Sequence, residues 1–274
     1  FSPVSGPRAP AVLRVCDRIN HTCLSISVTD PKRFGPVRDP CATTTLSIIA
    51  TPIGNLKDIT LRALDALREA DLILCEDTRV TRRLLAHFGI ADKILWRLNE
   101  NSEANLRHLT RQITGKNVAL VSDSGTPAVS DPGGRFVDYL TRELRGGFKI
   151  IPVPGPSALT AAIGISGMAS DGFVFLGFLG RSKTKIVREI GAALGIKKAA
   201  IFYESPHRII NTLEIIAERW PEAQILLTRE LTKEHEQVLK GLPAAVLQTL
   251  QAQGIARGEF TVVLEDRNSS KIPF

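Results

Sequence analysis

Long hydrophobic runs, metal-ligand cysteine spacings and the two commonest nucleotide-binding signatures are all missing from this 274-residue chain. No apolar stretch approaches the ~20 residues that span a bilayer as a helix, and Phe1 to Ala11 lacks the apolar segment of a signal peptide. No G-x-G-x-x-G follows a strand-like run and no G-x-x-x-x-G-K-[ST] occurs, which weighs against Rossmann and P-loop nucleotide binding. Cys16, Cys23 and Cys41 fit no zinc or redox spacing. Cys75, inside Leu72-Ile73-Leu74-Cys75, reads as a buried, inert thiol. Nothing here requires an oxidising compartment.

What is present suits a globular protein: 43% hydrophobic and 23% charged residues, with a net charge of +7. Residues 1–44 hold six of the basic and three of the acidic side chains, leaving 29 basic against 25 acidic in the remainder. That excess permits a nucleic-acid partner without demanding one. Residues 1–44 are rich in Pro, Arg, Ser and Thr, show no sustained period and begin with Phe, and the chain's single Met is Met168. They are expected to be a disordered or non-native extension outside the fold, with residues 267–274 as a tail.

From Leu46 onward strand-like and helical patterns alternate, which predicts an α/β protein with a largely parallel sheet. One set runs over residues 45–167, with Leu61, Leu64 and Leu67 facing inward on its first helix and an all-round apolar, buried helix at Ser157 to Ile165. A second set fills residues 168–266, where Ser205 caps a helix with Pro206 at its first position. Two α/β domains meeting near residues 166–172 would leave a cleft for a ligand. Three Pro- and Gly-rich loops each follow a short apolar strand: Thr51-Pro52-Ile53-Gly54-Asn55, Ser122-Asp123-Ser124-Gly125-Thr126-Pro127 and Pro152-Val153-Pro154-Gly155-Pro156-Ser157. Ligands of open α/β sheets bind at the carboxyl ends of strands, so three such turns predict one site.

Longer phrases sharpen this. They are Glu76-Asp77-Thr78-Arg79, the S-D-S-G-T-P-x-x-S-D-P-G string at Ser122 to Gly133, Phe175-Leu176-Gly177-Phe178-Leu179, Tyr203-Glu204-Ser205-Pro206-His207-Arg208, and Arg229-Glu230-Leu231-Thr232-Lys233 with Glu236. Together and in this order, from about Leu46 to Glu265, they resemble the ribosomal RNA small subunit methyltransferase I family of the tetrapyrrole methylase superfamily. The resemblance implies two α/β domains, S-adenosylmethionine in the cleft between them, no metal, a homodimer and a place in the bacterial cytoplasm. It also implies methyl transfer to the ribose 2′-oxygen of a cytidine in the decoding region of 16S ribosomal RNA, in the 30S particle. One departure is visible: Asn99-Glu100-Asn101-Ser102-Glu103 stands where the family carries a His-containing phrase.

The cofactor is a sulfonium cation that needs polarised oxygens around it, which turns rich in Pro and Gly can present. On the family's cofactor loops fall Pro52, Asp123, Ser124, Gly125, Val129, Ser130, Ser157 and Ala158, joined from the second domain by Phe178, Tyr203, Arg229 and Thr261. Asp123 equally suits a turn former, and the two roles are compatible. A ribose hydroxyl is a poor nucleophile, so a base is expected. Glu76, Asp77, Glu204, His207, Lys233 and Glu236 are the candidates and none is singled out; Lys233 could serve only with a lowered pKa. Arg79, Arg82, Arg83, Lys183, Lys185 and Arg208 are the expected phosphate contacts. Rival readings are a methyltransferase acting on a small tetrapyrrole and a ribosome-binding protein that has lost catalysis.

Overall fold

A computed structural model describes residues 11–16, 23–28, 44–143, 148–168, 171–254 and 257–266. Strands β1 (Ala11–Cys16) and β2 (Cys23–Val28) pair with each other as an antiparallel hairpin and with neither of the larger sheets. The sequence reading assigned no regular element there. The other residues before Thr44, and the tail after Asp266, lie outside the described residues.

The first large sheet has the order β5-β4-β6-β3-β7 and every pairing in it is parallel. Its strands are β3 (Thr44–Ile49), β4 (Leu72–Cys75), β5 (Ile94–Arg97), β6 (Asn117–Val121) and β7 (Phe148–Val153). Side chains alternate across a strand, and the sheet uses both faces. Leu72, Leu74, Val118 and Leu120 pack under α3 (Glu103–Ile113) and α4 (Gly134–Glu143). Ile73, Cys75, Ala119 and Val121 pack under α1 (Leu61–Glu69) and α2 (Thr78–His87). Burial pushes the Cys75 thiol pKa up, as suits an inert side chain. Strand β3 is fastened at its start, where the buried Thr44 hydroxyl accepts from the Gly115 N–H at 2.7 Å. Leu61 does not face inward: at the first position of α1 it is 81% exposed, and Ala63 and Leu67 fill that face instead.

The second sheet has the order β11-β10-β12-β9-β8 and is mixed rather than parallel. Only β8 (Phe173–Phe178) and β9 (Ala199–Glu204) run parallel; β10 (Gln224–Arg229), β11 (Gln237–Gly241) and β12 (Phe260–Glu265) join by antiparallel pairings. Helices α6 (Lys183–Gly195), α7 (Ile209–Arg219) and α8 (Pro243–Ala252) cover one face around Phe202, Phe260 and Val262. Helix α7 starts at Ile209; Pro206 to Arg208 form a turn ahead of it, so Ser205 is not its cap.

The other face of the second sheet is closed by α5 (Ala158–Ser166), which follows the first sheet in sequence. Ala162, with Leu159 and Ile163, packs against Ile201, Leu226 and Val263. The helix is therefore not sunk on all sides, and Ile165 on its far face is 52% exposed. This element ties the two sheets into one body and aims its first turn at the junction.

Candidate functional site

The parallel order places the carboxyl ends of β6, β3 and β7 side by side, and the three loops that leave them are hydrogen-bonded to one another. Thr51 and Gly125 exchange backbone bonds of 2.8 and 3.1 Å. The Thr126 hydroxyl donates to the Pro156 carbonyl at 3.2 Å. Gly125 needs its lack of a Cβ, with φ at +81° and Ile53 Cγ2 3.3 Å from where that atom would stand. Facing these loops, the β8 register shifts between Phe175 and Phe178 around Gly177 (φ +63°), an irregularity that re-aims Phe178. Phe178 meets Tyr203 edge-on at 5.7 Å. Tyr203 lies near the Leu159 N–H and the Ser157 hydroxyl at the start of α5, and burial pushes its pKa up.

Between these walls lies a cavity of about 340 Å³. Ser124, Gly125, Val129, Ser157, Ala158, Phe178, Tyr203 and Thr261 line it, all expected cofactor contacts, together with Glu204. The sequence reading missed Ile53, Thr126, Asp131, Ser205, Gly258 and Glu259 in the same lining. A second cavity of about 380 Å³ adjoins it and shares Ile53, Ser124 and Glu259 as a common wall. Pro52, Asp123, Lys233 and Arg83 line this second space, so Pro52 and Asp123 sit here rather than in the first. Ser130 and Arg229 line neither cavity; Arg229 Nε donates to the Arg257 carbonyl at 2.7 Å.

The six candidate bases separate by their partners. Glu76 follows the carboxyl end of β4, and burial, then the nearby Asp123 carboxylate, raises its pKa. Asp77 caps α2 and is held well below the usual carboxylate range by the Arg79 guanidinium, 2.6 Å away. Glu204 is buried and bound on all sides: it accepts from Ser205 N and Thr212 Oγ1, both at 2.8 Å, and pairs with Arg208 at 3.3 Å. His207 is exposed and Glu236 is occupied by the Thr232 N–H at 2.6 Å; neither lines a cavity. Partial burial pulls the Lys233 pKa down, but ion pairs with Glu230 at 3.0 Å and Glu259 at 3.1 Å outweigh it, and the net shift is upward. The lowered pKa that a basic Lys233 requires is therefore not found.

Among the expected phosphate contacts, Arg79, Arg82 and Arg83 share an exposed stretch of α2, and Arg83 reaches the second cavity. Arg208 turns inward instead, donating to the Leu179 and Gly180 carbonyls at 2.9 Å each. Lys183 pairs with Glu218 at 2.6 Å, tying α6 to α7, and Lys185 is exposed beside Gly180; neither lines a cavity.

Comparison with known proteins gives these cavities a context. Residues 45–246 match the family described as Tetrapyrrole (Corrin/Porphyrin) Methylases. The protein named ribosomal RNA small subunit methyltransferase I from Leptospira biflexa is 42% identical over 226 residues, covering 82% of this chain and 92% of its own. The protein of the same name from Thermotoga maritima is 40% identical, covering 81% and 98%. Solved structures share the fold at lower identity. A diphthine synthase superposes with a TM-score of 0.61 at 21% identity, covering 81% of this chain and 90% of its own. A uroporphyrin-III C-methyl transferase from Thermus thermophilus, complexed with S-adenosyl homocysteine, gives 0.57 at 20%, covering 81% and 97%.

Proposed function

The chain belongs to the ribosomal RNA small subunit methyltransferase I family within the tetrapyrrole methylases, and on that footing we propose that it methylates the ribose 2′-oxygen of a cytidine in the decoding region of 16S ribosomal RNA. S-adenosylmethionine would be the donor and the 30S particle the acceptor. The observation that carries the reading is the pair of adjoining cavities with a shared wall at Ile53, Ser124 and Glu259. A two-substrate transfer needs such a layout, because the reacting atoms must meet in line.

The first cavity suits the donor. Its volume falls within the range of small-molecule sites. Phe178 and Tyr203 offer an aromatic wall, while the loops around Ser124, Gly125 and Thr126 present main-chain polar groups. A Cβ on Gly258 (φ +102°) would lie 2.7 Å from Glu230 Cγ, so that wall too depends on a bare backbone. When bound, S-adenosylmethionine supplies an electrophilic methyl on a positively charged sulfur. The chain's own part is to hold the two substrates in register, to keep water from the first cavity, and to accept one proton.

The second cavity suits the acceptor. Arg83 on its wall and Arg79 and Arg82 beside it offer positive charge to a phosphate backbone. Replacing Arg79 and Arg83 together by alanine should raise KM for 30S particles about tenfold, weaken the salt dependence of binding, and leave S-adenosylhomocysteine affinity unchanged. Kinetics and calorimetry at two salt concentrations check this; equal loss of both affinities would place these arginines in the donor site.

Incubation with labelled donor and either 30S particles, naked 16S RNA or a uroporphyrinogen tests the function, followed by mapping of 2′-O-methyl positions. Label confined to one cytidine of 30S RNA is the expected outcome. Label in the macrocycle alone would overturn the proposal in favour of a tetrapyrrole substrate.

A further inference from the structure

A groove of about 620 Å³ lies at the outer edge of the first sheet, apart from both cavities above. The end of β5 supplies Trp96 and Arg97, the next turn Asn99, and α3 supplies Asn105, His108 and Gln112. Those three helix positions stand three and four residues apart, so they share one face. Among the described residues no hydrogen bond engages their side chains. Strand β5 is outermost and pairs only with β4, so no described strand closes the groove on that side.

Trp96 is half-buried against the core beneath α3, and Lys116 Nζ stands 5.5 Å from its ring centroid. An indole held in place yet open to a groove is a stacking platform for an unpaired base. Amide and imidazole groups bring donors and acceptors together, as the edge of an unstacked base requires. Charge agrees. From Trp96 to Lys116 the chain carries Arg97, Arg107, Arg111 and Lys116 against Glu100 and Glu103. The Glu100 carboxylate is already engaged, accepting from the N–H groups of Gly133 at 3.2 Å and Phe136 at 3.1 Å. The lining is mostly polar, unlike the apolar centre of a protein interface.

The groove opens on the same sheet edge as the second cavity. Arg97 ends β5 opposite Cys75, and Glu76 and Asp77, the next two residues, both feel its charge. Asp77 N donates to Asp123 Oδ1 at 3.0 Å, and Asp123 lines the second cavity. Two strand spacings, about 10 Å, separate β5 from β6. A short stretch of single strand covers that span. We propose that the groove holds a nucleotide of the RNA acceptor that flanks the methylated one, its base stacked on Trp96. The assignment rests on the RNA-methylation reading above. Arg97 would meet the phosphate on the way to the second cavity, while Asn105, His108 and Gln112 read the base edge. Gripping a flanking nucleotide sets the register of the strand, so the groove governs binding and target choice rather than the chemical step.

Trp96→Ala should raise KM for 30S particles about tenfold, the loss of one stacked base. Its kcat and S-adenosylhomocysteine affinity should stay within threefold of the parent, and Trp96→Phe should restore most of the KM. His108→Ala combined with Gln112→Ala, both exposed in the free protein, should raise KM about threefold at unchanged Tm. The only other indole is Trp220. In a Trp220→Phe background, a single-stranded RNA of decoding-region sequence should quench Trp96 fluorescence, and an abasic strand of equal charge should not. Parent-like KM in both alanine variants overturns the proposal, as does equal quenching by the abasic strand. A Trp96→Ala loss that Phe does not restore, or that S-adenosylhomocysteine affinity shares, marks a structural role and overturns it too. So does sedimentation showing that Trp96→Ala dissociates an assembly of the parent, which would give the groove to a second copy. A parent that methylates no RNA while Trp96 is still quenched retires the methylation reading and keeps the groove as an RNA site. Methylation of 30S particles without quenching retires the groove alone.

Discussion

Glu204→Ala should lower the melting temperature by about 10 °C. The side chain is fully buried, and its carboxylate joins the Ser205 N–H, the Thr212 hydroxyl and the Arg208 guanidinium. Arg208 uses the same guanidinium to hold the carbonyls of Leu179 and Gly180, which follow the bulged strand bearing Phe178. Removing one member of a buried ion pair leaves the other charge uncompensated, at a cost of about 3–5 kcal/mol. For a protein of this size each kcal/mol shifts Tm by about 2–4 °C. Glu204→Gln keeps an acceptor for Ser205 and Thr212 and should lose less. Thermal unfolding followed by circular dichroism measures both. The same experiment sorts the two roles open to Glu204: a base would show its loss in kcat at unchanged Tm, whereas a structural anchor loses Tm first.

Much of this molecule is legible in its sequence because strands buried on both faces and amphipathic helices leave strong periodic marks. Leu72 to Cys75 and Val118 to Val121 read as central strands and are central strands. The three loops converge because their strands are neighbours, and their Pro and Gly residues announce that. What escaped depends on long-range pairing. Strand β11, Gln237–Gly241, alternates half-buried and exposed residues at the sheet edge, and only its antiparallel partner β10 makes it a strand. The apolar character of α5 said that it would be buried, yet which sheet would receive it was a tertiary matter. The Glu204–Arg208 pair had the four-residue spacing of neighbours on one helix face, but the turn between them, and hence the inward aim of Arg208, could not be inferred from spacing. Asp131 was in plain view inside the S-D-S-G-T-P-x-x-S-D-P-G string. The signal that could have found it was the string's single Asp-Pro pair, Asp131-Pro132, a second acidic turn former following Asp123 in the same loop. Glu259 had no local signal at all, since only the pairing of β12 with β10 brings it to Glu230 and Lys233.

Gly54→Ala should cut kcat/KM by about tenfold to 100-fold, a loss larger than its effect on folding. Gly54 sits where the loop after β3 touches the turn after β10. A Cβ there would strike Lys233 Cγ, stand 2.7 Å from Thr232 Oγ1 and reach the Leu231 carbonyl at 3.0 Å. The turn has little room to yield: Glu230 and Thr232 already hold φ of +51° and +65°. It is further fixed by Thr232 N donating to Glu236 and by the paired main chains of Glu230 and Glu259. The Asn55 N–H also donates to Thr232 Oγ1 at 3.1 Å, the bond that the extra methyl would lever open. Overpacking of this kind costs about 1–3 kcal/mol, a Tm loss of a few degrees. Its greater effect falls on geometry, because the seam borders both Lys233 and the wall between the cavities, and displacements of about 1 Å can cost 100-fold in rate. Removing the Lys233 side chain relieves the first contact, so Gly54→Ala should cost less Tm in a Lys233→Ala background than in the parent, a coupling that a double-mutant cycle reads directly. Additive losses, or a Gly54→Ala protein as active as the parent, would mean that the two loops do not need to meet so closely for the transfer to proceed.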